Sequence, residues 1–167
     1  MSTTNSFLKS GNLVSMVAAF TIIAELLYLA IFGLNSVYSI VSLTLISLIF
    51  MQGIVAFIFY YTALKSILML IDVPIGLLIE AIAIYFLFLH KFLGLELILI
   101  GYISEPIAGT VLFKYFYKTN RIYSLMFFIG AIVFTLGLPL YVFNVPYVAI
   151  IGDIVKIFGL LKLRKCI

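Results

Sequence analysis

The stretch Asp72-Val-Pro-Ile-Gly-Leu-Leu-Ile-Glu80 decides the fold, together with a similar stretch further on, Asn144-Val-Pro-Tyr-Val-Ala-Ile-Ile-Gly-Asp153. Each begins with a residue that caps helices well, and each continues with Val-Pro, since proline is tolerated in a first helical turn. Each then places one carboxylate, Glu80 or Asp153, on an otherwise apolar helix. At 1.5 Å per residue these carboxylates lie roughly 12–14 Å from the caps, near the midplane of a bilayer core about 30 Å thick.

The composition indicates an all-α integral membrane protein with a single transmembrane domain over residues 1–167. The chain is 66% hydrophobic and 10% charged, whereas soluble domains are about 45–50% apolar and about 25% charged. All acidic residues lie within or beside apolar runs, so none remains to solubilise an extramembrane domain. The net charge of +4 therefore belongs to loops. No folded basic surface is expected, which argues against a nucleic-acid partner.

We predict six transmembrane helices, over residues 13–32, 38–64, 72–90, 92–113, 122–143 and 144–161. With this count the basic residues alternate between the two sides of the membrane. Of the basic residues outside the spans, Lys91 falls on one side, and the others fall on the opposite side: Lys9, Lys65, Lys114, Lys118, Arg121, Lys162, Arg164 and Lys165. Positive charge marks the cytoplasmic face, so we expect both termini in the cytoplasm.

The order of features suggests that residues 13–91 and 92–163 are repeats with inverted topology, an arrangement used by many transporters. Glu25 and Glu105 lie in the middle of the first predicted helix of each half. Val-Pro opens the third helix of each half, after Asp72 and Asn144. The spacings differ between the halves, however, and such short motifs also recur by chance in a chain this apolar. Duplication and chance recurrence both stay open at this point.

Four carboxylates are predicted near the midplane: Glu25, Glu80, Glu105 and Asp153. A charged side chain there costs about 2.5–3.5 kcal/mol, so the group has to be protonated, paired or in contact with water. The functional interpretation is one proton- or cation-binding site built from these four residues. The structural alternative is that each acid only holds helices together. Asp153 in particular lies three residues before Lys156 and can pair with it on the same helix.

Two prolines predict weak points in the helices. Pro106 directly follows Glu105, and Pro139 lies in Leu136-Gly-Leu-Pro139. Proline removes one helical hydrogen bond and clashes with the preceding turn, so we expect a hinge or kink at each. Broken helices at mid-membrane often line a binding site. Packing alone is the alternative, because proline kinks are common in membrane helices.

This chain lacks the residues that most enzyme mechanisms require. His90 is the single histidine and Cys166 the single cysteine, so neither a Cys/His metal cluster nor a Cys–His nucleophile is expected, and no cofactor is implied. We predict a small transporter or channel in which the carboxylate site couples to a proton or small cation. The alternative is a non-catalytic membrane subunit or scaffold of a larger complex.

The expected surroundings follow from the same composition. The lipid bilayer is the principal partner, and a homodimer or partner membrane subunits would complete so small a bundle. The composition, rich in Ile, Leu, Phe and Tyr and without Trp, is archaeal-like. It suggests the plasma membrane of a prokaryote.

Overall fold

A computed structural model describes residues 3–166, and this part of the chain consists of helices joined by short turns, with no strand. The all-α prediction is therefore confirmed. The elements, in chain order, are α1 (Thr3–Phe32), a 3-10 helix (Leu34–Tyr38), α2 (Ile40–Leu64), α3 (Ile67–Phe88), α4 (Leu93–Gly101), α5 (Ser104–Tyr117), α6 (Arg121–Gly137), a second 3-10 helix (Leu138–Phe143) and α7 (Tyr147–Cys166).

Within residues 3–166, five segments are long and apolar enough to cross a membrane, and they match five of the six predicted spans. These segments are Thr4–Phe32, Ile40–Leu64, Ile67–Phe88, Leu93–Tyr117 and Arg121–Phe143. The remaining helix, α7, has 20 residues, but its apolar stretch contains Asp153 and Lys156. Both of these side chains are buried within the bundle. Asp153 and Lys156 therefore do not lie on the outer surface, whereas Lys162, Arg164 and Lys165 near the end of α7 are exposed.

Contacts across the bundle show that α1 runs antiparallel to α2 and α5 antiparallel to α6, whereas α4 and α5 are the two parts of one broken span. In the α1–α2 pair, Ser42 donates to Glu25 near one end, and Tyr60 donates to Asn12 over 2.7 Å near the other. Across the α5–α6 turn, Ser124 donates to the carbonyl of Phe113 over 3.0 Å. Because the helices alternate in direction, the basic residues of the loops and of the end of α7 lie at one end of the bundle, except Lys91, which lies at the opposite end. We call the first of these the basic end and the second the Lys91 end. The extreme termini lie outside the described residues, so their cytoplasmic placement stays a prediction.

Two predicted helix caps are wrong. α3 begins at Ile67 after Ser66, so Asp72 and Pro74 lie inside the helix. Residues 67–71 are all apolar, and the helix continues through them because nothing there requires contact with water. Asn144 instead ends the second 3-10 helix in the left-handed conformation, at φ 58°, which asparagine tolerates better than most residues. The two Val-Pro pairs therefore occupy different structural positions, and the main similarity between the suggested halves is absent from the fold.

The closest packing in the bundle joins α6 and α7. Gly130 and Gly137 on α6 face α7, while Gly152 and Gly159 on α7 face α6, and a Cβ atom at any of the four would overlap the backbone of the partner helix. Small residues at such spacing let two membrane helices approach closely. As a result α7 lies in the core of the bundle, with Leu163 fully buried.

Candidate functional site

The site forms where one predicted span is broken. α4 ends at Gly101 and α5 begins at Ser104, so the helix is interrupted just before Pro106, where the sequence predicts a kink. A proline has no N–H and clashes with the carbonyl four residues earlier, here that of Tyr102. This carbonyl instead accepts from the Glu105 N–H over 3.1 Å and from the Thr135 hydroxyl over 3.4 Å.

The second predicted weak point, Pro139, lies just after the end of α6. α6 ends at Gly137, and the chain continues as a 3-10 helix with Pro139 in its first turn. This change of helix type occurs beside α7, because Gly137 packs directly on the backbone of Ala149. Pro139 itself is exposed, so it shapes the helix without contributing to the buried site.

Lys156 of α7 joins two of the predicted carboxylates. Its Nζ donates to Glu105 Oε1 over 2.7 Å and lies 2.5 Å from Asp153 Oδ1. The contact with Asp153 is an ion pair between residues three apart on the same helix. Lys156 Nζ also lies 4.5 Å from the centre of the Phe134 ring. The predicted Asp153–Lys156 pair is thus confirmed, and Glu105 is an additional partner.

Glu80 reaches the same region from α3. Gly101 leaves room for it, because a Cβ atom at position 101 would lie 2.8 Å from Glu80 Cγ. Gly76, one turn earlier on α3, makes room for Ser104 in the same way. The two glycines allow α3 to pack closely on the helix break. Among residues 3–166, Glu80 has no hydrogen-bond or ion-pair partner.

Glu80, Glu105 and Lys156 face a common cavity of about 180 Å³, which we call the Glu80–Glu105 cavity. Its other polar groups include the side chains of Tyr102 and Ser104, and the rest of its wall is mainly apolar. A water molecule needs about 10–15 Å³ of such space and two to four polar partners. The cavity is therefore large enough for several waters or for a small hydrated cation.

Glu25 is separate from this group. It accepts a hydrogen bond from the Ser42 hydroxyl and faces a second cavity of about 80 Å³, the Glu25 cavity. Ser42 is the third residue of α2, so Glu25 lies close to the Lys91 end of the bundle instead of at its centre. Its other oxygen, Oε2, has no partner among the described residues. The prediction of one four-carboxylate site is therefore corrected to a cluster of three with Glu25 apart.

Three members of the site were not predicted. Lys156 was recognised only as a partner of Asp153, and the roles of Tyr102 and Phe134 were missed. The ring of Tyr102 packs edge-on against Phe134 with the centroids 5.3 Å apart. The available sequence signal was the position of Tyr102, four residues before Pro106, where a proline frees a backbone carbonyl.

Known proteins give no guide to this site. Comparison with protein-family models, with curated proteins and with solved structures finds no match to the chain. The function therefore has to be inferred from the geometry.

Proposed function

We propose that the chain spans a lipid bilayer with six helices, α7 being the sixth, and with the basic end in the cytoplasm. Support comes from the outer surface, where large apolar side chains such as Ile40, Ile67 and Leu78 are more than half exposed. Such a surface suits contact with lipid. Asp153 and Lys156 of α7 point inward, and ionisable residues in membrane helices characteristically face a bundle interior or a wet cavity.

Within this bundle, we propose that the three-carboxylate cluster binds and releases a proton or a small cation during transport. The observation that carries the proposal is the convergence of Glu80, Glu105 and Lys156 on one cavity at the break between α4 and α5. Unwound or broken helices beside a cavity are a common setting for ion sites in transporters.

The charge balance favours a cationic ligand. One ammonium, that of Lys156, faces three carboxylates: those of Asp153, Glu105 and Glu80. If all were ionised, the cluster would carry a net charge of −2. Buried charge without compensation is costly. Protons or a bound cation would neutralise the excess negative charge. Glu80 is the most available ligand, because it forms no ion pair with another described side chain.

Lys156 would act as an internal competitor for the ligand. A proton or cation arriving at Glu105 replaces the ammonium there, and Lys156 then keeps only its contact with Asp153. Release of the ligand lets Lys156 return to Glu105. Both positions are within reach of one flexible side chain, so the exchange needs no movement of α7.

The test is ion flux in proteoliposomes that contain a pH-sensitive dye, under an imposed membrane potential and with several cations in turn. We expect flux from the native protein and its loss in Glu80→Gln, which keeps the size of the side chain but removes its charge. Glu96→Gln is the matched control, because Glu96 is an exposed acid in the first turn of α4. Flux no greater than that of empty vesicles under all conditions would refute the proposal, as would equal flux from native protein and Glu80→Gln.

A scaffold or subunit role is the second candidate. It is favoured by Glu25 and Asp153, each of which contacts a partner on its own or a neighbouring helix, Ser42 or Lys156. Interhelical contacts of this kind hold bundles together. Under this alternative the protein conducts nothing and copurifies with other membrane subunits in defined proportion.

A further inference from the structure

The two cavities are stacked along the bundle axis. The Glu80–Glu105 cavity extends towards the basic end, where it is bounded by Tyr60 and Met69 near the α2–α3 connection. The Glu25 cavity extends towards the Lys91 end, where it is bounded by Leu34 and Val37 of the first 3-10 helix. Together they cover much of the distance between the two ends.

Three helical segments pass the two cavities in a consistent order. On α2, Ile46 lines the Glu25 cavity, Gly53 lines the Glu80–Glu105 cavity, and Ile49 between them lines both. On the broken segment, Leu99 lines only the first and Ser104 only the second. α1 runs antiparallel to α2, so along α1 the residues that line the Glu80–Glu105 cavity come first and those that line the Glu25 cavity come later.

The residues common to both walls are Ile22, Ile49 and Tyr102. They form one layer across the interior, contributed by α1, by α2 and by the turn between α4 and α5. Ile22 is buried and Ile49 partly buried. The layer is therefore the barrier between a cavity that holds the ion site and a cavity that holds Glu25.

We propose that this layer is the gate of the pathway, with Tyr102 as its moving part, and that Glu25 lies on the route beyond it. The inference rests on the proposed ion transport and extends it from a site to a path. Tyr102 is suited to move because it lies in the turn between α4 and α5, where Pro106 interrupts the helical hydrogen bonding. Ile22 and Ile49 lie inside continuous helices and provide the fixed part of the layer.

The gate and the ion site share a buried side chain. Phe134 is fully buried. The Tyr102 ring packs on it with the centroids 5.3 Å apart, and Lys156 Nζ lies 4.5 Å from its ring centre. Because packed interiors shift between discrete arrangements, displacement of Lys156 by a ligand would change the support of Tyr102. Occupation of the site would thereby be coupled to opening of the layer.

The test measures access to the two cavities without any ion gradient. In a Cys166→Ser background, one cysteine is placed on α2 at Ile46→Cys or at Gly53→Cys. Position 53 accepts a side chain, since a Cβ atom there meets only Leu77, at 3.5 Å. A membrane-impermeant cationic thiol reagent is then added to right-side-out or to inside-out vesicles. With Tyr102 present, we expect cysteine 53 to react only from the basic end and cysteine 46 only from the Lys91 end.

Tyr102→Ala should remove this sidedness, so that each cysteine reacts from both ends, whereas Tyr102→Phe should keep it because the ring still fills the layer. Ile49→Ala removes a side chain of the same layer from a different helix, and it provides the same test if Tyr102→Ala does not fold. Reaction of cysteine 53 from both ends in the presence of Tyr102 would overturn the gate. The gate would also be overturned if the sidedness of labelling survived in both alanine variants, or if neither introduced thiol reacted from either end.

The labelling experiment tests the gate and the flux experiment tests ion transport, so the two proposals can be refuted independently. Lost sidedness in Tyr102→Ala without any flux would leave the gate standing and refute ion transport. Flux that requires Glu80, together with unchanged labelling, would leave the transport proposal standing and refute the gate.

Discussion

Replacement of Lys156 by methionine should strongly destabilise the bundle. Methionine keeps most of the length and apolar volume of the lysine side chain, so the change removes the charge without opening a large cavity. Two carboxylates lose their cation at once: Asp153, which is fully buried, and Glu105, whose side chain is 27% exposed. Asp153 has no hydrogen bond to replace the lost contact.

The magnitude follows from burial. Removal of one partner of a buried ion pair costs about 3–5 kcal/mol. Glu105 retains contact with the Glu80–Glu105 cavity, where water can solvate it, so we expect the lower part of this range, about 3–4 kcal/mol. The lost contact of Nζ with the Phe134 ring is included in this figure, since cation–π contacts contribute about 0.5–2 kcal/mol.

The assay is equilibrium unfolding in mixed micelles titrated with a denaturing detergent, and it yields the free energy of unfolding of each variant. The variant Glu105→Gln/Asp153→Asn/Lys156→Met has no charge at the three positions and should regain most of the loss. Lys162→Met is the matched control on the same helix, because Lys162 is exposed, and it should stay within about 0.5 kcal/mol of the native protein.

Two results would refute this reasoning. The first is a loss below about 1 kcal/mol for Lys156→Met, the size found for solvent-exposed ion pairs. The second is a triple variant no more stable than the single one, which would mean that the cost does not come from the unpaired carboxylates.

Two further predictions concern packing and the Glu25 cavity. Gly152→Ala should destabilise by about 1–3 kcal/mol, the usual cost of overpacking, because the new Cβ atom overlaps the backbone at Phe134. Gly53→Ala, where the new Cβ atom makes an ordinary contact with Leu77, should be neutral or slightly stabilising in the same unfolding assay. Ser42→Ala should cost about 1–3 kcal/mol, because Glu25 then loses its hydrogen-bond donor while it stays buried; an unchanged free energy of unfolding would show that Glu25 is satisfied in another way.

Much of the architecture could be predicted from local patterns. The helical class and the positions of five spans follow from apolar runs interrupted by turns, and the kinks follow from the chemistry of Pro106 and Pro139. The pair Asp153–Lys156 was also predictable, since residues three apart on a helix face the same direction. The glycines at seven-residue spacing on α6 and α7 were an available signal that went unused.

The helix starts were predicted less well, for a reason specific to membranes. The sequence predicts a cap at Asp72, because Asp and Pro open helices in water. An apolar segment such as residues 67–71 gives no sign of where the water boundary lies, so the helix continues through it. Asn144 has the same cap-like sequence, but its backbone is left-handed and it ends the preceding element.

Local sequence patterns are enough to predict a helical bundle suited to a membrane, because hydropathy and proline chemistry act over a few neighbouring residues. They also show which residues are chemically able to bind a cation. The grouping of these residues depends on the packing of the helices: Glu105 joins Asp153 through Lys156, Glu80 faces the same cavity as Glu105, and Glu25 faces a different cavity. The rotation and depth of one helix against its neighbours depend on close contacts such as those of Gly101 and Gly152, which connect residues far apart in the chain.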